Sequence, residues 1–342
     1  MNARIARLRE QLEQPLLVSH PTNVFYLTGF ASSNTMLFVE PERVRLFTDF
    51  RYIDAARAVE DVEVIETRRD VIGHLGELIS GPFGFEATTM TYAQARRLKD
   101  AVPTEAVVEK LRAVKDETEL ASLRTACAIT DRMFERLSTE VQFVGRTELD
   151  VAWDIARLHH EEGAAVPAFE SIVGSGPTGS RPHARAGDKK IAVGELVVID
   201  TGCVVDGYSS DCTRTFATGS VNGKAREVYE SVLAAQEAAL AAIRAGLPGL
   251  EADAIARRIV DETEFAGMFG HGLGHGLGLD VHELPRMSTE TTDVLAPGNV
   301  VTVEPGIYVS EEFGVRIEND VVVTADGIED MTGFRKDWVE VG

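Results

Sequence analysis

Apolar and polar positions change period every few residues along the first hundred. Ile5, Leu8 and Leu12 recur at helical spacing, so the chain opens with an amphipathic helix. Residues 16–18, 36–39 and 44–47 are compact runs suited to a pleated surface, and Pro41, Glu42 and Arg43 read as the hairpin turn between the last two. Helix over 54–58, strand over 62–65, helix over 71–79, strand over 82–85 and helix over 92–98 complete the block. Strands and helices in alternation predict an α/β layer.

Residues 111–116 mark a boundary, and the period lengthens beyond it. Leu120, Leu123, Cys127, Thr130, Phe134 and Leu137 fall on one face of a long helix. Thr147 with Asp150 forms a capping-box pattern for a second helix, through Trp153 and Ala156 to His159. An irregular stretch, 171–184, precedes an apolar strand. The same order then repeats: helix over 224–244, a stop at Gly246-Leu247-Pro248-Gly249, helix over 251–263, then strands around Glu304 and Glu318. Each half thus reads helix, helix, then strands that deliver carboxylates. We expect a mixed α/β (α+β) protein: a small α/β domain over 1–112, then a pseudo-twofold domain over 113–342 whose halves face each other across a site.

The chemistry concentrates in the second block. The segment VVIDTGCVVDGYSSDCTRTF, residues 197–216, places Asp200 and Asp211 on a predicted hairpin punctuated by Gly202 and Gly207. A carboxylate at the end of a buried apolar strand is costly unless something positive meets it. Arg214 is the only basic residue in that hairpin. Either Arg214 and remote basic residues neutralise both groups, or a cation does; taken alone, two exposed turn aspartates explain the segment as well. His275 in GHGLGHGLGLDVHE, Glu304 in VVTVEPGIYV and Glu318 in FGVRIENDVVV also lie in Gly-rich or strand-like surroundings. Four carboxylates and one imidazole exceed the needs of one ion and suit a pair of divalent ions sharing bridging carboxylates. Hard oxygen donors with one imidazole favour manganese, cobalt or zinc.

The ordered set Asp200, Asp211, His275, Glu304 and Glu318, with spacings of 11, 64, 29 and 14, resembles the pita-bread metallopeptidases. That family includes prolidases, aminopeptidases P and methionine aminopeptidases. Flanking context matches in DGYSSDCTRTF, GHGLGHGLGLDVHELP, TVEPGIY and GVRIENDVVV. NVFYLTGF (23–30) and LFTDFRY (46–52) resemble the family's N-terminal domain, which methionine aminopeptidases lack. The resemblance implies a pita-bread catalytic domain holding two divalent ions, Mn2+ first, with Co2+ or Zn2+ as alternatives. Asp211 and Glu318 would bridge them, with Asp200 on one ion and His275 and Glu304 on the other. His183, His271 and His282 fall where the family places active-site histidines: His183 at the tetrahedral intermediate, His282 near the scissile bond, His271 beside the substrate. Glu304 would also shuttle the proton. Arg316 shares a strand face with Glu318 and is expected to orient a ligand carboxylate beside the substrate. Arg286 is expected to receive the free carboxylate of a C-terminal proline. The implied activity is hydrolysis of the Xaa-Pro bond, of dipeptides first and of longer peptides as the alternative. Metal-free creatinase-like hydrolases and inactive binding proteins of this fold abandon part of the ligand set, which is complete here. The family is often dimeric, so a homodimer is expected.

Composition adds exclusions. The 342 residues carry a net charge of −21, which argues against nucleic acid and anionic membrane surfaces. No apolar run approaches a membrane span, the N-terminus lacks an apolar signal core, and three scattered cysteines make no disulfide framework. A cytoplasmic location is the expectation. The glycines at 174, 176 and 179 fit a dinucleotide-binding spacing, but Pro177, Arg181 and Pro182 exclude the helix such a motif must open. His159 and His160 are adjacent, hence about 100° apart on a helix, and read as a solvated face rather than a metal pair. His20 and His74 read as structural or surface residues.

Overall fold

The structure is a computed structural model and describes residues 2–342. By contacts it divides into two compact units, Met1–Arg112 and Ala113–Gly342.

The first unit is a six-stranded mixed sheet in the order Glu63–Thr67, Val44–Asp49, Thr35–Val39, Leu16–Val18, Phe83–Glu86, Ala101–Thr104. Thr35–Val39 pairs antiparallel with both neighbours, and the other pairings are parallel. Leu17, Phe38, Phe47, Leu75, Phe83 and Phe85 form its core between sheet and helices. Glu40, Pro41, Glu42 and Arg43 make the tight turn, closed by Glu40 N–H donating to Arg43 O at 2.9 Å. Two expected helices shrink to single turns, Ile53–Ala56 and Tyr92–Ala95. Too few apolar positions follow in register to reward a further turn. A helix that apolar spacing did not suggest, Pro21–Thr28, has Pro at its first turn and Gly29 at its C-terminus with φ of +70°.

In the second unit the helices Glu117–Glu140 and Glu148–Glu161 precede a four-stranded sheet ordered Val339–Glu340, Cys212–Ala217, Leu196–Thr201, Ile172–Ser175. Both helices start in complete capping boxes, at Asp116 with Glu119 and at Thr147 with Asp150. The helices Gly223–Ala242 and Gly249–Asp261 precede a five-stranded sheet ordered Glu283–Met287, Gly274–Gly276, Val300–Val303, Asn319–Val323, Ile328–Asp330. The ribbon Gly306–Val309 with Phe313–Arg316 completes this half. Each half has its own apolar core, one built on Phe134, Phe143 and Phe216 and the other on Tyr229, Phe269 and Val303. The glycine-spaced segment after Ser175 is a five-residue 3-10 turn, Gly176–Ser180. No helix of the described residues is long and apolar enough to cross a membrane.

His159 departs from its expected solvated position. It is 2% exposed against the long helix, with Nε2 3.3 Å from Thr130 Oγ1, whereas His160 faces solvent. Spacing gives the angle between two adjacent side chains, not which of them the neighbouring helix covers.

Candidate metal centre

The predicted hairpin is two nested hairpins. Leu196–Thr201 pairs with Cys212–Ala217, bringing Asp200 opposite Thr213, and a smaller hairpin from Cys203–Val205 to Tyr208–Ser209 lies between them. The chain crosses itself where the outer pair opens. A Cβ on Gly202 would lie 1.8 Å from Ser210 O, so only glycine fits there. Asp200 is the penultimate residue of Leu196–Thr201, and Asp211 directly precedes Cys212–Ala217.

The other half supplies its donors from adjacent strands. His275 lies on Gly274–Gly276, and Glu304 directly follows Val300–Val303. Glu304 N–H donates to Leu273 O at 2.8 Å, tying the two segments together. A Cβ on Gly274 would come within 2.0 Å of Thr302 O, so this crossing also requires glycine. Glu318 stands between the strands Phe313–Arg316 and Asn319–Val323, facing the first half. Its N–H donates to Thr213 O at 3.1 Å, and its Oε2 accepts from Thr213 Oγ1 at 2.6 Å.

These elements bring all five carboxylate and imidazole groups to one cleft. Donor atoms of Asp211, His275 and Glu318 lie within 4.8 Å of one another. His275 Nε2 is 3.8 Å from Asp211 Oδ2 and 3.3 Å from Glu304 Oε1. Asp200 lines the same cleft, of about 710 Å³, with His183, His271, His282, Arg286 and Arg316.

Two positive partners were possible for the aspartates, and the arginines divide the task. Arg214 turns away: its guanidinium donates to Thr213 O, Glu318 O, Phe334 O, Arg335 O and Asn319 Oδ1. It therefore staples the two sheets rather than neutralising the site. Arg316 donates from Nη2 to Asp200 Oδ2 at 2.6 Å and from Nη1 to Tyr308 Oη at 2.8 Å. Nη2 thus holds the Asp200 carboxylate by a charge-assisted hydrogen bond. Among the described residues no lysine or arginine pairs with Asp211 or Glu318. Asp200 Oδ1 and Asp211 Oδ1 are buried without any hydrogen-bond partner.

The electrostatics follow from that imbalance. Burial pushes Asp211 well above the usual carboxylate range, and the charges of Glu318 and Asp200 add to it. Glu318 moves the same way, by burial and then Glu304 and Asp200. Burial also opposes charge on Glu304, but the hydrogen bond and charge of His275 outweigh it and hold Glu304 at about 2. Burial lowers His275, and its bond to Glu304 more than compensates, leaving it raised. The cluster holds more carboxylate than it can ionise unaided. Bare buried oxygens, hard donors and a single imidazole fit divalent cations.

Spacing alone missed three neighbours. Tyr308 Oη bridges Arg316 and His271 Nε2, the latter at 3.0 Å. The His271 Nδ1 contact to Gly272 O, at 2.8 Å, needs a proton on Nδ1, so Nε2 accepts from Tyr308. Asp320 Oδ2 accepts Asp211 N–H at 2.9 Å and lies 3.3 Å from Cys127 Sγ, and burial pushes its carboxyl up to about 7. Thr213 anchors Glu318 as described. Tyr308 sits in the EPGIY run and Asp320 follows Glu318 by two, but neither has the spacing of a ligand. The His282 ring lies against His275, centroids 4.2 Å apart and planes tilted by 46°, and partial burial followed by the charge of His275 lowers its pKa. His183, His282 and Arg286 are exposed on the cleft wall.

Comparison with known proteins bears on the family and the fold. Residues 121–325 match the family model for metallopeptidase family M24, and residues 4–114 match the creatinase/prolidase N-terminal domain. An uncharacterized peptidase of Bacillus subtilis is 38% identical, covering 95% of either chain. The solved Xaa-Pro dipeptidase from Bacillus anthracis is 33% identical and superposes with a TM-score of 0.95 over 99% of both chains. The X-Pro aminopeptidase from Thermotoga maritima is 32% identical, with a TM-score of 0.88 over 98% of this chain and 100% of its own.

Proposed function

The chain belongs to metallopeptidase family M24, and from that premise we propose that it hydrolyses the Xaa-Pro bond of dipeptides. The observation that carries this reading is the convergence of five ligand-type side chains, two with bare buried oxygens, in a cleft that also presents Arg286. The chain is a metallopeptidase using divalent metal ions, and the hard donor set makes manganese our choice. Asp200, Asp211, His275, Glu304 and Glu318 would hold the ions, Asp211 and Glu318 as bridges. When bound, the ions supply Lewis acidity, making a water acidic enough to ionise near neutral pH and polarising the scissile carbonyl.

The remaining steps belong to side chains. Glu304 moves a proton to the departing proline nitrogen. His183 and His282 hold the carbonyl and the developing charge from the cleft wall. His271 faces the substrate with its tautomer set by Gly272 and Tyr308. Arg316 holds Asp200 in place. Residues 113–342 carry this chemistry as one catalytic domain, and 1–112 form a separate N-terminal domain without ligands. A homodimer and a cytoplasmic location complete the reading; three buried free cysteines suit a reducing compartment.

Arg286 distinguishes this reading from cleavage of longer peptides, the second reading favoured by the Thermotoga likeness. A forked arginine–carboxylate contact is worth roughly 1.5–3 kcal/mol. Arg286→Ala should therefore lower turnover of Xaa-Pro by about tenfold or more, and of Xaa-Pro-Yaa much less. Equal losses on both, or a parent that prefers tripeptides, sinks the dipeptidase assignment and leaves the metallopeptidase standing.

A further inference from the structure

The helix Gly249–Asp261 contributes no ligand, yet it presents a charged pair to the back of the histidine loop. Arg257 forks onto Asp253, Nε to Oδ2 at 2.7 Å and Nη2 to Oδ1 at 2.9 Å. Asp253 is 1% exposed and thus almost wholly desolvated. A one-turn pair on a solvated helix face is worth a few tenths of a kcal/mol. Here Asp253 is buried and Arg257 half-buried, and both partners also reach beyond the helix.

Arg257 Nη1 donates to Phe269 O at 2.5 Å, and Nη2 donates to His271 O at 2.7 Å. Asp253 Oδ1 accepts Leu273 N–H at 3.0 Å. Three hydrogen bonds therefore seize the backbone of 269–273 at alternate residues. The guanidinium carbon lies 4.3 Å from the Phe269 ring centroid, and that ring meets the His271 imidazole edge-on at 5.0 Å. The loop has Gly270 and Gly272 on either side of His271, which leaves the backbone there without side-chain support from its immediate neighbours. On the far side, Leu273 O accepts from Glu304 N–H.

We propose that Asp253 and Arg257 are positioning residues: together they set where His271 projects into the cleft. Geometry distinguishes this role from general stabilisation. The planar fork reads two carbonyls and one carboxylate at once, which lysine with the same charge does not reproduce. The proposal rests on the reading of His271 as substrate-facing.

The test is a double-mutant cycle on the metal-loaded enzyme with an Xaa-Pro dipeptide, pairing Arg257→Lys with His271→Ala. Asp253→Asn takes its place should Arg257→Lys fold poorly. Metal content and the His271 ring nitrogen signals in NMR spectra are read alongside. Arg257→Lys should lower kcat about tenfold in the parent, retain metal, and shift the His271 ring signals. In the His271→Ala background it should cost less than twofold. A full tenfold loss in both backgrounds, or unmoved His271 signals, overturns the positioning role. If His271→Ala alone leaves activity at the parental level, the premise about His271 falls and the proposal with it, while the peptidase assignment stands.

Discussion

Glu86 in the first unit and Asp211 in the second are both buried carboxylates, and burial raises both. Their surroundings differ. Glu86 Oε2 accepts Ser19 N–H and His20 N–H, each at 2.6 Å, and Oε1 accepts from Asn23 Nδ2 at 2.7 Å. Every oxygen has a neutral donor, so the group ties together the ends of two strands and needs nothing further. Asp211 keeps Oδ1 bare, and its Oδ2 lies 3.8 Å from the His275 imidazole. A complete shell of neutral donors suits a structural acid, whereas the bare oxygen of Asp211, set among other acids, suits the ligand role proposed for it. Burial alone does not tell the two apart.

The strongest way to break this comparison is to neutralise each acid without changing its shape. Asp211→Asn should reduce kcat/KM at least about 100-fold, because a neutral amide bridges two cations poorly. Its circular dichroism should remain parental and its metal content should fall. Near-normal turnover with full metal would show the bare oxygen to be incidental. Chelation comes next. With divalent ion at about 100 times its Kd, binding stabilises the fold by about 2.7 kcal/mol. Stripping the ions should thus lower the melting temperature by roughly 5–10 °C. A chelator-insensitive melt would count against a loaded site.

Glu86→Gln should do the opposite. With its oxygen kept on Ser19 and His20 N–H, its amide would turn an NH2 donor towards Asn23 Nδ2, costing about 1–3 kcal/mol in denaturant titration. Turnover per folded molecule should be unchanged; a loss of kcat would erase the distinction. The smallest effect belongs to His159, whose Nδ1 is bare in an apolar setting. Burial lowers its pKa to about 4, against about 6.5 in the unfolded chain. Above pH 6.5 both states are neutral and the group contributes no slope. As pH falls from 6.5 towards 4 the unfolded chain binds a proton that the fold refuses, and stability is lost. Between pH 6.5 and 5.5 the parent should lose about 1 kcal/mol more than His159→Gln. Parallel stability curves for the two would contradict the burial.

The same contrast explains what the sequence made legible. The hairpin and the five groups that meet in the cleft were readable because carboxylates and an imidazole stand out in apolar or glycine-rich strands. The long helices were readable from Leu120 to Leu137 because one buried face repeats over several turns. Helix Pro21–Thr28 was marked only by its Pro and Gly at the two ends, and the shortened helices at 53 and 92 had too few residues to show a period. Asp320, Tyr308 and the Asp253–Arg257 pair were not legible, because each acts on a segment distant in sequence. For Asp253 the partner is the N–H of Leu273, and a backbone donor leaves no residue signature. Arg214 shows the same limit from the other side. Its place in the carboxylate hairpin suggested a counter-ion, and only the packing of Phe334 and Asn319 behind it shows a staple.

The crossings at Gly202 and Gly274 have a consequence for how the gene can drift. At each, even a methyl group would occupy the space of a carbonyl oxygen from another segment, Ser210 or Thr302. Both codons are therefore fixed points: no replacement is neutral, and no neighbour can move aside, since the obstacle is main chain. The wall residues Phe169, Glu170, Ile172 and Ser288 touch the same cleft without such crossings. A randomised library that varies these wall positions and leaves the two glycines untouched would explore new peptide preferences while keeping the centre assembled.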